Sequence, residues 1–234
     1  MNWKGHVIFG IMMGLPFISS PEQIFLVIAG ALYPDLDHDV KSEIVERGLY
    51  ISGALVLISI LVYIFKPKFF DLGFFIAAVS ILILYLIPYF ANHRGITHTL
   101  LGLIVVSSIL GFTSYKIGSI SPIMAGLLSL IMVTNDKLLG KVVAIGVFVW
   151  IALTVISQYL VNFDGFYHYA IPIGLGYLSH IVGDSLTPMG SKPFYPLNYK
   201  FRKKEGIAVI VIWAIVVLYL IIKKYVMIKG FTVF

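Results

Sequence analysis

Long apolar runs broken by short polar segments dominate the chain. Seven of them, Leu49–Phe65, Asp71–Phe90, Thr97–Tyr115, Ile117–Val133, Lys141–Leu160, Tyr169–Thr187 and Ile207–Ile222, approach the roughly 17–25 residues that carry an α-helix across a bilayer. Two shorter runs, His6–Ile18 and Ile24–Tyr33, flank the turn-like Ser19-Ser20-Pro21. At about 1.5 Å rise per residue neither covers the hydrocarbon alone. The first pair is therefore tilted, deformed or re-entrant. The pattern predicts an all-α fold, a polytopic membrane helical bundle of about nine helical segments. No internal repeat or low-complexity tract divides it, so residues 1–234 read as one integral-membrane domain. The N-terminal run is short and lacks a small-x-small site before Pro16, which argues against a cleavable signal.

Composition sharpens this picture. Hydrophobic residues make up 59% of the chain and charged residues 12%, with a mean hydropathy of +0.98; a soluble domain carries about 25% charged residues. A water-facing fold of this size cannot hide so much apolar surface. Disordered, collagenous and disulfide-scaffold classes are excluded as well. With no cysteine, thiolate catalysis and Cys-based metal sites drop out, so any metal must be held by His, Asp or Glu. Placing the N-terminus inside puts 11 of the 17 Lys and Arg residues on the cytoplasmic side and six outside. The positive-inside rule favours that orientation, although Lys66 and Lys68 fall on the outer side. The expected address is the cell membrane, multi-pass, with the N-terminus cytoplasmic.

An Asp, Lys or Arg at the centre of a membrane helix costs about 2.5–3.5 kcal/mol on insertion scales, so the placement of ionisable groups is informative. His6 opens the first helix. The second runs into Tyr33-Pro34-Asp35-Leu36-Asp37-His38-Asp39, the fourth and fifth meet at Asn92-His93-Arg94-Gly95-Ile96-Thr97-His98, and His180 and Asp184 occupy the last two turns of the eighth. Helix parity brings all four clusters to the cytoplasmic face. His168, beside Asp164, falls on the opposite side and reads as an ordinary loop histidine.

Each cluster alone admits a bland reading. His180 and Asp184 are four apart and share a helix face; imidazole and carboxylate suit a divalent cation such as Zn²⁺, and they equally suit a structural hydrogen bond between helices. Three carboxylates crowded around His38 repel one another unless a cation offsets the charge, or they sit in a solvated loop. Asp35, nearest the membrane, is the expected ligand there, and Asp37 is a second ligand or a base that orients an attacking water. His93 and His98 bracket Arg94-Gly95, where glycine allows a bend that turns both imidazoles inward. Arg94 offers a planar fork suited to phosphate oxygens. His6 gains meaning only from sharing a face with the others. The basic run from Lys200 to Lys204 reads first as an anchor to anionic headgroups, and secondarily as a guide for an anionic lipid.

Taken together, His6, Pro34-Asp35-Leu36-Asp37-His38, His93-Arg94-Gly95-Ile96-Thr97-His98, and Gly176-Tyr177-Leu178-Ser179-His180 with Asp184 and Thr187-Pro188 resemble the LexA-regulated, membrane-bound metal-dependent hydrolase family. The likeness runs from the first helix to about Pro196, with no motif between about Phe112 and Phe166. Members often carry Ser where this chain has Thr99. A more distant similarity is to zinc-dependent phospholipase C, whose central metal-binding helix His180-x-x-Gly183-Asp184-x-x-Thr187-Pro188 resembles. That similarity implies that His180 and Asp184 are ligands, with Asp184 bridging two metals. Phospholipase C continues with further His and Glu ligands, whereas no histidine follows His180 here. One or two ions are expected, not three.

The leading expectation is a metal-dependent membrane hydrolase acting on a lipid phosphoester or ester at the cytoplasmic face. A divalent cation, Zn with Mn or Mg as alternatives, would be held by some of His6, Asp35, His93, His98, His180 and Asp184. Arg94 would clamp a phosphate, and Asp37 would orient the water or take its proton. The partners are the bilayer and a membrane lipid substrate; no nucleic acid is expected. The rival reading is a divalent-cation transporter or metal-binding membrane protein. Carriers usually place their site near the midplane, often with repeat symmetry, and neither feature is present in the pattern.

Overall fold

The structure is a computed structural model that describes residues 1–37, 43–91, 94–134 and 161–228. Among these residues the fold is all-α: α1 (Trp3–Gly14), α2 (Pro21–Leu32), α3 (Glu43–Phe65), α4 (Leu72–Phe90), α5 (Leu100–Gly118), α6 (Pro122–Val133), α7 (Gly165–Ser185) and α8 (Lys203–Ile228). The expected helix Lys141–Leu160, and His38, Asp39 and His93, lie outside the described residues. Short 3₁₀ turns at Tyr33–Asp37 and Ile96–His98 follow α2 and precede α5.

Four helices, α3, α4, α5 and α8, are long and apolar enough to cross a membrane. Their large apolar side chains point outward, including Ile58, Ile64, Phe74, Ile212 and Tyr219, as lipid-facing surfaces do. The expected span Ile117–Val133 needs correction. α5 runs on to Gly118, and a new helix starts at Pro122. Pro122 has no N–H to extend α5, and the Ser121 side chain accepts from Met124 N to start α6. The resulting 12-residue helix reaches only about 18 Å. α3 starts earlier than its apolar run, at Glu43, with two acidic residues favourably placed near its N-terminus.

The two short N-terminal helices are each 12 residues long, as their apolar runs suggested. α2 is enclosed by protein, every residue from Glu22 to Leu32 being buried, and it packs against α1, α6 and α7. Its polar start is satisfied locally. His168 Nε2 lies 2.7 Å from Glu22 Oε1, Gln23 Nε2 donates to the His168 carbonyl at 2.9 Å, and the Ser19 backbone donates to Gln23 Oε1 at 2.6 Å. His168 is thus a structural partner, as read from sequence, but it sits in the first turn of α7, which starts at Gly165, and not in a loop.

α2 and α7 meet backbone to backbone. A Cβ on Gly30 would fall 2.0 Å from the Ile173 carbonyl oxygen, and one on Gly176 would fall 1.9 Å from that of Val27. Only hydrogen fits at either point. Lipid tails are as apolar as leucine, so close approach through small residues, more than apolar burial, holds membrane helices together. Elsewhere the Ser114 and Ser129 hydroxyls pair at 2.8 Å between α5 and α6, and Trp213 Nε1 donates to the Met13 carbonyl at 3.1 Å, tying α8 to α1.

Gly176→Ala is expected to force α2 and α7 apart and to cost roughly 1–3 kcal/mol, read as a lower melting temperature of the purified protein in detergent. Gly53→Ala is the control, because its Cβ meets nothing within 4 Å; inside α3 it gains helix propensity, so the melting temperature should not fall.

Candidate metal centre

The end of α1–α2 opposite the Glu22–His168 pair gathers the ionisable residues that the sequence scatters over nearly 180 positions. His6 comes from α1, Asp35 and Asp37 from the turn after α2, Arg94 and His98 from the segment before α5, and His180 and Asp184 from α7. Local sequence sets each presentation. Asn2 caps α1 by accepting from Gly5 N at 2.9 Å, four residues before His6. Thr99 caps α5, accepting from Gly102 N at 2.9 Å and donating to the Ile96 carbonyl at 2.7 Å. Serine is a somewhat better cap than threonine, and Thr99 makes both capping bonds here.

His6, His98, His180 and Asp184 are at most 2% exposed, whereas Asp35 has a side-chain exposure of 31% and Arg94 one of 23%. The cluster therefore opens to solvent past Asp35 and Arg94. His98 Nε2 and His180 Nε2 are 3.2 Å apart. Asp35 Oδ1 lies 3.5 Å from His180 Nε2 and 3.8 Å from His98 Nε2; Asp184 Oδ2 lies 3.7 Å and 3.6 Å from the same two nitrogens. Ligand atoms at the corners of a tetrahedral zinc site are about 3.3 Å apart, given metal–nitrogen distances near 2.05 Å. Two overlapping groups, His6–His180–Asp184 and Asp35–His98–His180, each bring three possible ligand atoms within 4.8 Å of one another. They share His180.

The hydrogen bonds behind these atoms fix which nitrogen faces inward. His180 Nδ1 lies 2.8 Å from the Ala31 carbonyl; a carbonyl only accepts, so Nδ1 carries the proton and Nε2 presents a lone pair. A histidine that ligates a metal commonly donates its other N–H in this way. His98 Nδ1 lies 3.4 Å from Asp37 Oδ2. That oxygen also accepts from Arg94 N at 3.2 Å and from the Thr97 hydroxyl. Asp37 thus sits behind the His98 ring, where it can orient the imidazole, and belongs to neither ligand group. His6 stacks on His180 with ring centroids 3.7 Å apart, and among the described residues both of its buried ring nitrogens lack a hydrogen-bond partner. Asp184 Oδ1, 3.4 Å from His6 Nε2, also accepts from the Met1 amino group at 3.0 Å.

Electrostatics point the same way. Burial opposes charge on Asp35, yet His98, His180 and His6 hold its carboxyl below the usual range. For His98, burial is likewise outweighed, here by the Asp35, Asp37 and Asp184 carboxylates, which push the imidazole up to about 9. Orphaned imidazole nitrogens, an inward lone pair and two converging carboxylates form a donor set that could hold a metal ion.

Residues 1–233 match the family model described as YdjM inner membrane protein. The chain belongs to that family. No curated protein and no solved structure matches it. The match supports the membrane side of the family resemblance drawn from the motifs and a membrane location, but carries nothing about metal-dependent hydrolysis.

Five of the six expected ligands, His6, Asp35, His98, His180 and Asp184, come together; His93 lies outside the described residues. Three contributors escaped sequence reasoning. The Ala31 carbonyl carries no sequence signal at all. Thr97 stands in the sequence only as part of a motif, and its hydroxyl secures Asp37. Tyr177, one turn before His180, donates its hydroxyl to the Thr97 carbonyl and ties α7 to the His98 turn; its place among motif residues was the available clue.

Asp37→Asn should keep the shape and weaken the charge behind His98, lowering metal affinity about 10- to 100-fold in competition with a chromophoric chelator. His168→Gln, at the far end of α2, should lower the melting temperature and leave that affinity unchanged.

Proposed function

We propose that this chain is a membrane-embedded, metal-dependent hydrolase of a lipid phosphoester or ester, working at the cytoplasmic membrane face with one or two divalent ions. The observation that carries the reading is the convergence of His6, Asp35, His98, His180 and Asp184 at one solvent-reaching end of the bundle. A bound divalent cation supplies a nucleophile from water at neutral pH and stabilises the negative charge that develops on the attacked group. The protein does the rest. His180, fixed by Ala31, and His98, fixed by Asp37, hold their Nε2 lone pairs toward a common point. Asp35 and Asp184 contribute the negative charge that favours a cation there. Asp37 is a positioning residue that acts through His98.

Arg94 stands at the edge, its Nη2 3.7 Å from Asp184 Oδ2, where a guanidinium can grip a phosphoryl oxygen. Its φ of 60° is a left-handed conformation that costs a non-glycine residue about 1–3 kcal/mol. That conformation is secured by the bond from Arg94 N to Asp37 and by the bond from Nη1 to the Gly190 carbonyl at 3.2 Å. An apolar groove of about 320 Å³, lined by Ile83, Leu86, Ile87, Phe90, Ala91 and Ile96, adjoins the same turn. A groove of this kind beside a phosphate-gripping arginine supports a lipid as the substrate.

Elemental analysis of purified wild type against His180→Ala/Asp184→Ala tests the centre, and a divalent metal present only in wild type is expected. Metal-dependent release of product from phospholipids or isoprenoid phosphates, with no Zn²⁺ or Mn²⁺ flux into proteoliposomes, is the expected second result. Flux without turnover would make the protein a carrier and sink the hydrolase reading.

A further inference from the structure

The segment after α7 builds a second feature beside the cluster. Thr187 donates through its hydroxyl to the Asp184 carbonyl at 2.7 Å, and Gly190 N donates to the Thr187 carbonyl at 3.1 Å. Gly190 has φ +67°, and a Cβ there would fall 2.4 Å from the Phe201 carbonyl oxygen, so the chain reverses where only glycine fits. A single antiparallel bridge, Ser191 N to the Phe201 carbonyl at 3.0 Å and Phe201 N to the Ser191 carbonyl at 2.8 Å, closes the loop. Leu100 N donates to the Pro193 carbonyl at 2.8 Å and pins the loop over the start of α5. Lys192 and Lys200 are thereby brought to the same side as Arg94.

Between loop and turn lies a cavity of about 300 Å³ lined by Arg94, Ser191, Lys192, Tyr195 and Lys200, with Gly95, Met189 and Gly190 completing its wall. Among the described residues, three cationic side chains and no carboxylate face it. Ser191 is 3% exposed, and among the described residues neither its hydroxyl nor the buried Nε of Arg94 has a hydrogen-bond partner. Buried donors are ordinarily satisfied, and a solvated headgroup anchor does not bury a hydroxyl. Arg94 is shared with Asp184, but unsatisfied donors together with the added charge of Lys192 and Lys200 describe a receptor for an anion.

We propose that this cavity is a phosphoryl-binding subsite, with Lys192, Lys200, Ser191 and Arg94 as its donors, seating the phosphate of the substrate next to the candidate metal centre. The proposal deepens the hydrolase reading and rests on it for the subsite's purpose. It extends the site by three residues, Ser191, Lys192 and Lys200, from a loop outside every ligand motif. The substrate class becomes a phosphoester in preference to a neutral ester. Exposed Met189, Phe194, Leu197 and Tyr199 on the same loop suit contact with the bilayer surface, and the phosphoryl group can come from a lipid headgroup or from free phosphate.

Native mass spectrometry of the full chain in detergent tests this, with dioleoyl phosphatidic acid, dioleoyl phosphatidylcholine and inorganic phosphate as probes and bound metal measured on the same samples. Wild type is expected to retain one phosphatidic acid in preference to phosphatidylcholine. Lys192→Ala/Lys200→Ala should weaken retention at least about tenfold, and Ser191→Ala roughly fivefold. Ser191→Ala removes a single hydroxyl and decides the matter if the double variant does not fold. Phosphatidic acid that inorganic phosphate fails to displace identifies a lipid headgroup; inorganic phosphate bound alone, with the same sensitivity to the variants, identifies a soluble phosphoester. Either result supports the subsite. Equal retention of both lipids with no phosphate bound, or retention that the variants leave unchanged, overturns it. Wild type that holds metal without anion preference removes the subsite alone, and wild type that holds the anion without metal removes the hydrolase reading alone.

Discussion

The direct backbone contact between α2 and α7 is the constraint on which the rest depends. Gly30 meets the Ile173 carbonyl, and Gly176 meets that of Val27. Because the helices come this close, the Ala31 carbonyl reaches His180 Nδ1 at 2.8 Å. One contact therefore sets both the helix spacing and the histidine tautomer. In a lipid setting, where apolar burial gives helices little reason to associate, a glycine-mediated approach with a polar bond at its end is an effective way to make position and chemistry depend on each other.

The two ends of α2 show two ways of handling buried polarity. At its start, Glu22, Gln23 and His168 bond to one another and to neighbouring backbone, leaving a saturated structural cluster. At its other end Asp35, Asp37 and Asp184 converge on buried imidazoles, and among the described residues neither His6 nitrogen has a hydrogen-bond partner, Nε2 making only a 3.4 Å contact to Asp184. Burying carboxylates without compensation is expensive. Protonated His98 and Arg94 offset part of that charge, and a divalent cation would offset more while satisfying the orphaned nitrogens. This difference in saturation, more than residue type, separates a candidate site from a structural ion pair.

Arg94 links the centre to its surroundings. Its left-handed backbone is held by Asp37, its side chain reaches Gly190 and Asp184, and its turn lies between the apolar groove and the cationic cavity. A conformation that carries a steric cost and persists under several restraints is characteristic of functional positions.

The membrane class, the helical architecture and the residue types that gather at the site were legible in the sequence, because apolar run length and the cost of charge in lipid are local quantities. His180 and Asp184 could be placed on one helix face from spacing alone. Helix limits were less legible at Ile117–Val133, where a proline and a serine cap divide an unbroken apolar run. Tertiary structure alone decided that His6 stacks on His180, that Asp37 stands behind His98, that Ala31 supplies a carbonyl, and that Ser191 and Lys200 close a cavity with Arg94. These are relations between segments up to 180 positions apart. They depend on how closely two backbones can approach, and periodicity along one segment carries no record of that distance.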